Sequence, residues 1–237
     1  MVIQTTETHI LSVDAAPDLK VRNSAGSITI NAGPEGQFTL EATKKIVGGI
    51  FGQPKEPDLD KIEVGVTQEG NLISVSVHPG AAEALFGKSS LVDLVITAPP
   101  QTNADLQLNA GAITLSRAQG RVRGRINAGA FEVSEAAMTG VEVAVNVGAF
   151  RYQGTLAPGA LVDVEVNTGN AIFRLPPDVS TNVDAQTTSG VVSLIGLTLA
   201  DERAATLQWA RGATQLDATG FLTVRVNTGN IDLMARD

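Results

Sequence analysis

A corner of the form Asn-x-Gly recurs along the second half of this chain, and it constrains the fold more than any other sequence feature. The two most similar copies are VEVNTGNAI, residues 164–172, and VRVNTGNID, residues 224–232. In each copy, apolar and polar residues alternate on both sides of the glycine, which predicts two short strands with one buried face. Because Asn and Gly adopt left-handed backbone conformations at low cost, the motif between the strands predicts a sharp corner.

Aligning the copies on the glycine extends the repeat over much of the chain. Successive glycines lie about 20 residues apart, the last interval is about twice as long, and a fainter copy surrounds Gly26. Two strands and a corner in about 20 residues are the size of one coil of a β-solenoid. The corner glycines are Gly111, Gly129, Gly148, Gly169, Gly190 and Gly229.

The residue two positions before each corner glycine is usually asparagine, and stacking of the coils would bring these side chains together. Amides at the roughly 4.8 Å spacing of strands can hydrogen-bond to one another and to the corner backbone. We expect a structural ladder inside the corners; the alternative is a row of polar groups that binds a ligand. The ladder is Asn109, Asn127, Asn146, Asn167, Thr188 and Asn227. The residues just before it should point inward and form a narrow aliphatic core: Leu108, Ile126, Val145, Val166 and Val226.

Residues 1–100 contain strand candidates with less regular spacing. We predict an all-β fold with a single-chain β-solenoid at 101–237. Residues 1–100 should be continuous with it and form either an irregular N-terminal β cap or the first irregular coils. Two insertions, at 44–54 and 81–88, carry apolar residues next to glycine. These residues either fold back on the N-terminal sheet or form interaction loops, and the candidates are Ile50, Phe51, Leu85 and Phe86.

Composition excludes several classes of function. The chain has no cysteine and two histidines, so one copy cannot assemble a thiolate or imidazole zinc site. A net charge of -8 argues against non-specific binding to nucleic acid or to an anionic membrane. The start lacks a secretory signal pattern, and the most apolar stretch is too short for a membrane helix. We expect no cofactor and a cytoplasmic location as the sequence stands, or the cell surface if it is part of a longer exported protein.

Clusters of basic and acidic residues are candidate binding or catalytic sites. Arg121, Arg123 and Arg125 alternate along one strand, with Arg117 nearby, and we interpret them as solvated rather than as a polyanion site. Glu132 and Arg151 occupy equivalent positions of adjacent coils and should pair across the strands. A polysaccharide-cleaving solenoid would need acids grouped on one face, and we interpret the acids of this chain as scattered over different coil positions. They are Glu132, Glu142, Asp163, Glu165 and Asp184.

Two short motifs resemble known sites incompletely. FGKSS at 86–90 lacks the first glycine of a phosphate-binding loop, and EPDLDKIE at 56–63 lacks the glycine of a calcium loop. We therefore predict no catalytic, cofactor or metal residues. Trp209 and Tyr152 are the candidates for stacking on a sugar.

With its Asn-x-Gly corners and the junction LVDLVITAPPQTNADLQLNAGAITL, residues 91–115, the chain resembles the bacterial putative-adhesin family of domains of unknown function. The resemblance implies an all-β, solenoid-like fold and a bacterial source, and it transfers no active site. We therefore expect a non-enzymatic module for protein–protein contact or self-assembly. The alternative is a glycan-binding domain that uses one face of the solenoid.

The end of the chain suggests self-association. VRVNTGNIDLMARD completes a coil and stops, so we expect the last coil to expose an unpaired strand edge. Pairing of two such edges would give a homodimer through Ile231 and Leu233.

Overall fold

In the computed structural model, which describes residues 2–48, 55–78, 88–205 and 207–236, the chain is almost entirely β. The described strands form a 14-stranded sheet that is not closed into a barrel, which confirms the all-β prediction. The strands are β1 (Val2–Ser12), β2 (Asp18–Ala32), β3 (Gln37–Gly48), β4 (Glu63–Glu69), β5 (Leu72–His78), β6 (Lys88–Ala98), β7 (Asn103–Ser116), β8 (Arg121–Leu175), β9 (Thr181–Ser189), β10 (Val192–Ile195), β11 (Asp201–Ala205), β12 (Trp209–Ala213), β13 (Gly220–Thr228) and β14 (Ile231–Ala235), with one short helix, α1 (Glu56–Leu59), before β4.

The repeat forms rungs, each of which is a strand bent at its glycine into an N-terminal arm and a C-terminal arm. Neighbouring rungs pair in parallel with equivalent residues opposite one another, so Gly26 of β2 lies opposite Gly111 of β7, and Gly111 lies opposite Gly129 of β8. The 55-residue β8 continues through the corners at Gly148 and Gly169 without a break. The periodic pattern in the sequence therefore corresponds to lateral stacking of equivalent residues.

Glycine is required at the corners because adjacent rungs touch there through their backbones. The six corner glycines have φ values between +135° and +154°, a region that other residues rarely adopt. A Cβ built on Gly148 would also collide with the carbonyl oxygen of Gly129. Conformation and contact thus exclude a side chain at the same position.

The core lies between the two sets of arms. The five inward residues predicted from the repeat are at most 3% exposed, and each buried aliphatic side chain of this size stabilises the fold by roughly 1.5–3 kcal/mol. The C-terminal arms add a row of aromatic rings, which the expectation of a purely aliphatic core missed. The ring centroids of Phe131 and Phe150 are 5.9 Å apart, and those of Phe150 and Phe173 are 5.3 Å apart. Room for Phe131 comes from Gly124, where a Cβ would collide with the ring.

The last rung of the sequence is not the last rung of the stack. β13 lies between β8 and β9, and β14 lies between β8 and β10, with parallel pairing on both sides. Ile231 and Leu233 are 0% exposed. The predicted open edge at the C-terminal rung, and a dimer contact through these two residues, are therefore wrong. The rung that contains Gly190 lies one position further out in the stack, because β13 pairs with β8 on one side and with β9 on the other.

The N-terminal region continues the same sheet. β2 pairs with β5 along its N-terminal arm and with β6 along its C-terminal arm, and β3 and β1 then extend the sheet in antiparallel fashion. Asp93 of β6 joins three strands at this switch, since it accepts hydrogen bonds from Lys45 of β3 at 2.5 Å and Ser27 of β2 at 2.7 Å. The division into an N-terminal cap or first coils at 1–100 and solenoid repeats at 101–237 stays a prediction.

Candidate ligand groove on the outer face

The asparagine side chains form a continuous hydrogen-bonded row on the outside of the corners. The Nδ2 of each donates to the Oδ1 of its neighbour: Asn127 to Asn109 at 3.1 Å, Asn146 to Asn127 at 2.8 Å, Asn167 to Asn146 at 3.0 Å and Asn227 to Asn167 at 3.1 Å. All five residues are exposed, so the amides do not lie inside the corners as we expected. Thr188 lies on the rung beyond Asn227, because β13 separates β9 from β8.

A groove of about 870 Å³ runs along this row, and we call it the ladder groove. One side is the row of asparagines, and the other is the row of outward residues two positions earlier in each rung. The groove ends beside Ser76 and His78 of β5. The second row consists of Arg22, Gln107, Arg125, Ala144, Glu165 and Arg225.

Among the described residues, the larger aliphatic side chains beneath the groove are turned away from it. The aliphatic residues that line it, such as Leu108, Ile126 and Val145, are 2–3% exposed because their side chains point into the core. Ala144 is the small residue midway along the second row, between Arg125 and Glu165. The polar groups that the groove offers to a ligand are therefore amide, guanidinium, hydroxyl and carboxylate groups.

The arginines of the groove differ in how far they are already engaged. The Nε of Arg22 donates to Gln107 at 3.3 Å, and Arg225 lies 3.3 Å from Asp163 and 3.8 Å from Glu165. Arg125 has no hydrogen-bond or ion-pair partner among the described residues. Among the described residues, Arg125 is thus the least engaged of the three arginines that line the groove.

The four arginines singled out in the sequence do not gather into one site. Arg123 pairs with Glu142 at 2.8 Å on the solvated face, where this pairing raises the pKa of the guanidinium, and Arg117 lies in the turn before β8 with a φ of 59°. Only Arg125 lines the ladder groove. The predicted pair of Glu132 and Arg151 is present at 2.6 Å, with both side chains nearly half exposed.

Three of the acids recur at one rung position, which corrects the interpretation that they are scattered. Glu142 and Asp163 lie four residues before their ladder asparagines on adjacent rungs and border a depression of about 200 Å³. Asp184 has the same position in β9, two rungs beyond Asp163. Each has an arginine partner: Arg123 for Glu142, Arg225 for Asp163 and Arg211 for Asp184.

The two aromatic candidates for sugar stacking have different environments. Tyr152 is 1% exposed, its hydroxyl donates to the carbonyl oxygen of Thr155 at 2.5 Å, and burial raises the pKa of its hydroxyl. It therefore cannot stack on a sugar. Trp209 is 37% exposed on β12, opposite Gln186 of β9 and away from the ladder groove.

The remaining candidates add no second site. Asp58 accepts a hydrogen bond from the Lys55 backbone at 3.0 Å and pairs with Lys61 at 2.9 Å, so this carboxylate stabilises the start of α1. Within the described ranges no three His, Asp or Glu side chains come together as a metal site, and no helix has the length and apolar character to cross a membrane. The proposed loop residues Ile50, Phe51, Leu85 and Phe86 lie outside the described residues, as does the start of FGKSS.

Sequence reasoning found the ladder but not the groove beside it. The second row can be recognised in the sequence only after the ladder residues are aligned, because its members share a position relative to the ladder and not a residue type. Ala144 and Gln107, taken singly, give no sequence signal of a binding site.

Comparison with solved structures agrees with this architecture. A putative cell adhesion protein from Clostridium sporogenes ATCC 15579 aligns over 98% of this chain and 100% of its own, with 14% identity and a TM-score of 0.50. A putative adhesin from Bacteroides fragilis NCTC 9343 aligns over 97% of each chain, with 12% identity and a TM-score of 0.36. No protein-family model and no curated protein matches the chain. The resemblance to bacterial putative adhesins is thus confirmed, and at this identity it speaks to the fold alone.

Proposed function

We propose that this protein is a non-enzymatic interaction module, a β-solenoid scaffold whose stacked rungs present a binding surface. The ladder groove is the observation that supports this proposal. It brings together side chains of β2, β5, β7, β8 and β13, and each of these strands is paired with a neighbour on both sides. A rigid concave surface with convergent polar groups is the usual form of a binding site. Arginine pairing of Glu142 and Asp163 supports binding rather than acid–base catalysis.

The module would act at the bacterial cell surface if the chain is part of a longer exported protein. The description of the Clostridium sporogenes protein as a putative cell adhesion protein is consistent with that location. Cell fractionation followed by immunoblotting tests the location. Recovery in the cytoplasmic fraction alone would contradict a role in adhesion.

Blocking the groove tests the proposed function. Ala144→Trp places a large side chain midway along the second row, and we expect it to abolish capture of material from a cell-envelope extract by the immobilised protein. Thr114→Trp, on the outer face of a C-terminal arm, is the matched control and should capture as the native chain does. Equal capture by Ala144→Trp and the native chain would mean that the groove is not the binding surface. Release of reducing ends from polysaccharides by the native chain would contradict the non-enzymatic assignment.

Self-assembly is a second candidate, and β1 is the element that favours it. β1 pairs with β3 along 11 residues and ends the described order of strands, so its other edge is a template for a further strand. Val2 is 57% exposed and Ile10 is 64% exposed on this strand. Light scattering should detect a dimer that Ile10→Lys disrupts. A monomer at all concentrations tested would remove this candidate.

A further inference from the structure

We propose that the ladder groove binds an acidic oligosaccharide, with its hydroxyl groups on the asparagine row and a carboxylate on Arg125. This inference rests on the proposed function, because it assigns a ligand class to the same groove. It adds the chemistry of recognition and the residues that discriminate between ligands.

The hydrogen bonds within the asparagine row leave a regular set of groups for a ligand. A side-chain amide has two N–H donors and an oxygen with two lone pairs. Asn127, Asn146 and Asn167 each use one donor and one acceptor on their neighbours, so each keeps one donor and one acceptor. A sugar hydroxyl is itself both a donor and an acceptor. The row therefore repeats a complementary pair of groups at every rung.

The spacing of the row suits an extended chain of sugars. Strands in a sheet lie roughly 4.8 Å apart, so the five amides from Asn109 to Asn227 cover roughly 19 Å. The rung spacing is close to the length of one pyranose residue in an extended glycan. Successive sugars can therefore meet successive amides in the same register.

The positive charge at one end of the groove favours an acidic ligand there. The protein as a whole carries a net charge of -8, yet the second row contains Arg22, Arg125 and Arg225 against Glu165 alone. Arg225 is already balanced by Asp163 and Glu165, which leaves the positive character at the end with Arg22 and Arg125. A guanidinium binds a carboxylate through two parallel hydrogen bonds.

An extended peptide fits this groove less well. Peptides that bind to sheets usually add a strand at an open edge or place side chains in apolar pockets. The strands beneath the groove are paired on both sides, and their aliphatic side chains point into the core. No Phe, Tyr or Trp is among the described residues of the groove, so recognition depends on hydrogen bonds and charge.

Calorimetric titration with defined oligosaccharides tests the proposal. The acidic probes are hexamers of galacturonate, mannuronate and hyaluronate; the neutral probe is cellohexaose; the peptide probe is hexaglutamate. We expect at least one acidic saccharide to bind, with an affinity that falls as sodium chloride is raised from about 50 mM to about 300 mM. Cellohexaose should bind at least about tenfold more weakly, since it lacks the carboxylates.

Variants place the ligand in the groove. Arg125→Gln should lower the affinity for the tightest-binding acidic saccharide by about tenfold, and Asn146→Ala should lower it by a few-fold. Arg123→Gln is the matched control on the same strand; it removes a guanidinium already paired with Glu142 and should leave affinity unchanged. Thermal melting should show that all three variants remain folded.

Several outcomes would overturn the inference. The first is that no acidic saccharide binds. The second is that Arg125→Gln and Arg123→Gln lower the affinity for the acidic saccharide equally. The third is that hexaglutamate binds as tightly as the tightest-binding saccharide. The last result would identify a site for acidic peptides. If Ala144→Trp nevertheless abolishes capture from the envelope extract, the proposed function stands and only the ligand class is wrong.

Discussion

Gly148 lies so close to Gly129 on the neighbouring rung that a Cβ at Gly148 would overlap the carbonyl oxygen of Gly129. The same relationship connects Gly111 to Gly26, Gly129 to Gly111 and Gly169 to Gly148, so the corners form a column of backbone contacts. The spacing of the rungs at the corner depends on the absence of side chains from this column.

Gly148→Ala should therefore destabilise the protein by about 3 kcal/mol or more, because the new methyl group must displace a neighbouring backbone and the φ of +142° is strained for alanine. Urea unfolding followed by circular dichroism measures the loss. Gly159→Ala is the matched control. Its φ of +74° is also positive but nothing lies within 4 Å of the new Cβ, so it should cost about 1 kcal/mol. Equal losses would show that strain alone explains the corner glycines.

The contact between Gly124 and Phe131 should appear as coupling in a double-mutant cycle. Gly124→Ala alone should cost about 1–3 kcal/mol, because its methyl group collides with the buried Phe131 ring. Phe131→Leu in the same chain makes room for that methyl group, so the double variant should be more stable than the sum of the two single losses predicts. Thermal or urea unfolding of all four proteins gives the coupling. Additive losses would indicate that the ring moves aside freely.

Breaking the asparagine row at its middle should have a modest effect. Asn146→Ala removes the bonds to Asn127 and Asn167, but because these side chains are exposed, water replaces much of the loss and the cost should be about 1 kcal/mol. Thr168→Ala, an exposed residue of the next corner, should change the free energy of unfolding by less than about 0.5 kcal/mol. A variant at Asn146 as stable as the native chain would leave the row without a structural role.

Asp93 should make stability depend on acid pH. Burial by itself would raise the pKa of this carboxyl group, but the hydrogen bonds from Lys45 and Ser27 outweigh burial and hold its pKa below the usual value of 3.8. A folded-state pKa below the unfolded one stabilises the protein above the unfolded pKa, and this stabilisation is lost as the pH falls through the folded pKa.

The native protein should thus exceed Asp93→Asn in stability by about 1 kcal/mol at neutral pH, and the difference should shrink as the pH falls below about 4. Melting temperatures of both proteins across this range provide the measurement. Glu132→Gln, which removes a more exposed pair with Arg151, is the control and should cost less than about 0.5 kcal/mol. A difference at position 93 that does not vary with pH would exclude the ionised carboxylate as its source.

Local patterns in the sequence account for the predictions that the structure confirmed. Alternation of apolar residues on both sides of Gly169 specifies two half-buried arms, and the glycine specifies the bend, because both depend on the side-chain period of a strand and on backbone sterics. Recurrence of this unit at about 20 residues then places Asn127, Asn146 and Asn167 in one row. No long-range information is needed for any of these steps.

The tertiary structure alone decided which rungs are neighbours and which surfaces are exposed. β13 lies between β8 and β9 and pairs with both in parallel, and this order connects residues about 60 positions apart. That insertion buried Ile231 and Leu233, which the sequence alone had placed at an open end. The groove likewise is formed by positions that share no residue type. Ala144 leaves space in the second row because Arg125 and Glu165, which lie on either side of it in the folded stack, are larger. Periodicity specifies the rung, whereas the order of rungs and the shape of the surface depend on contacts that no local pattern encodes.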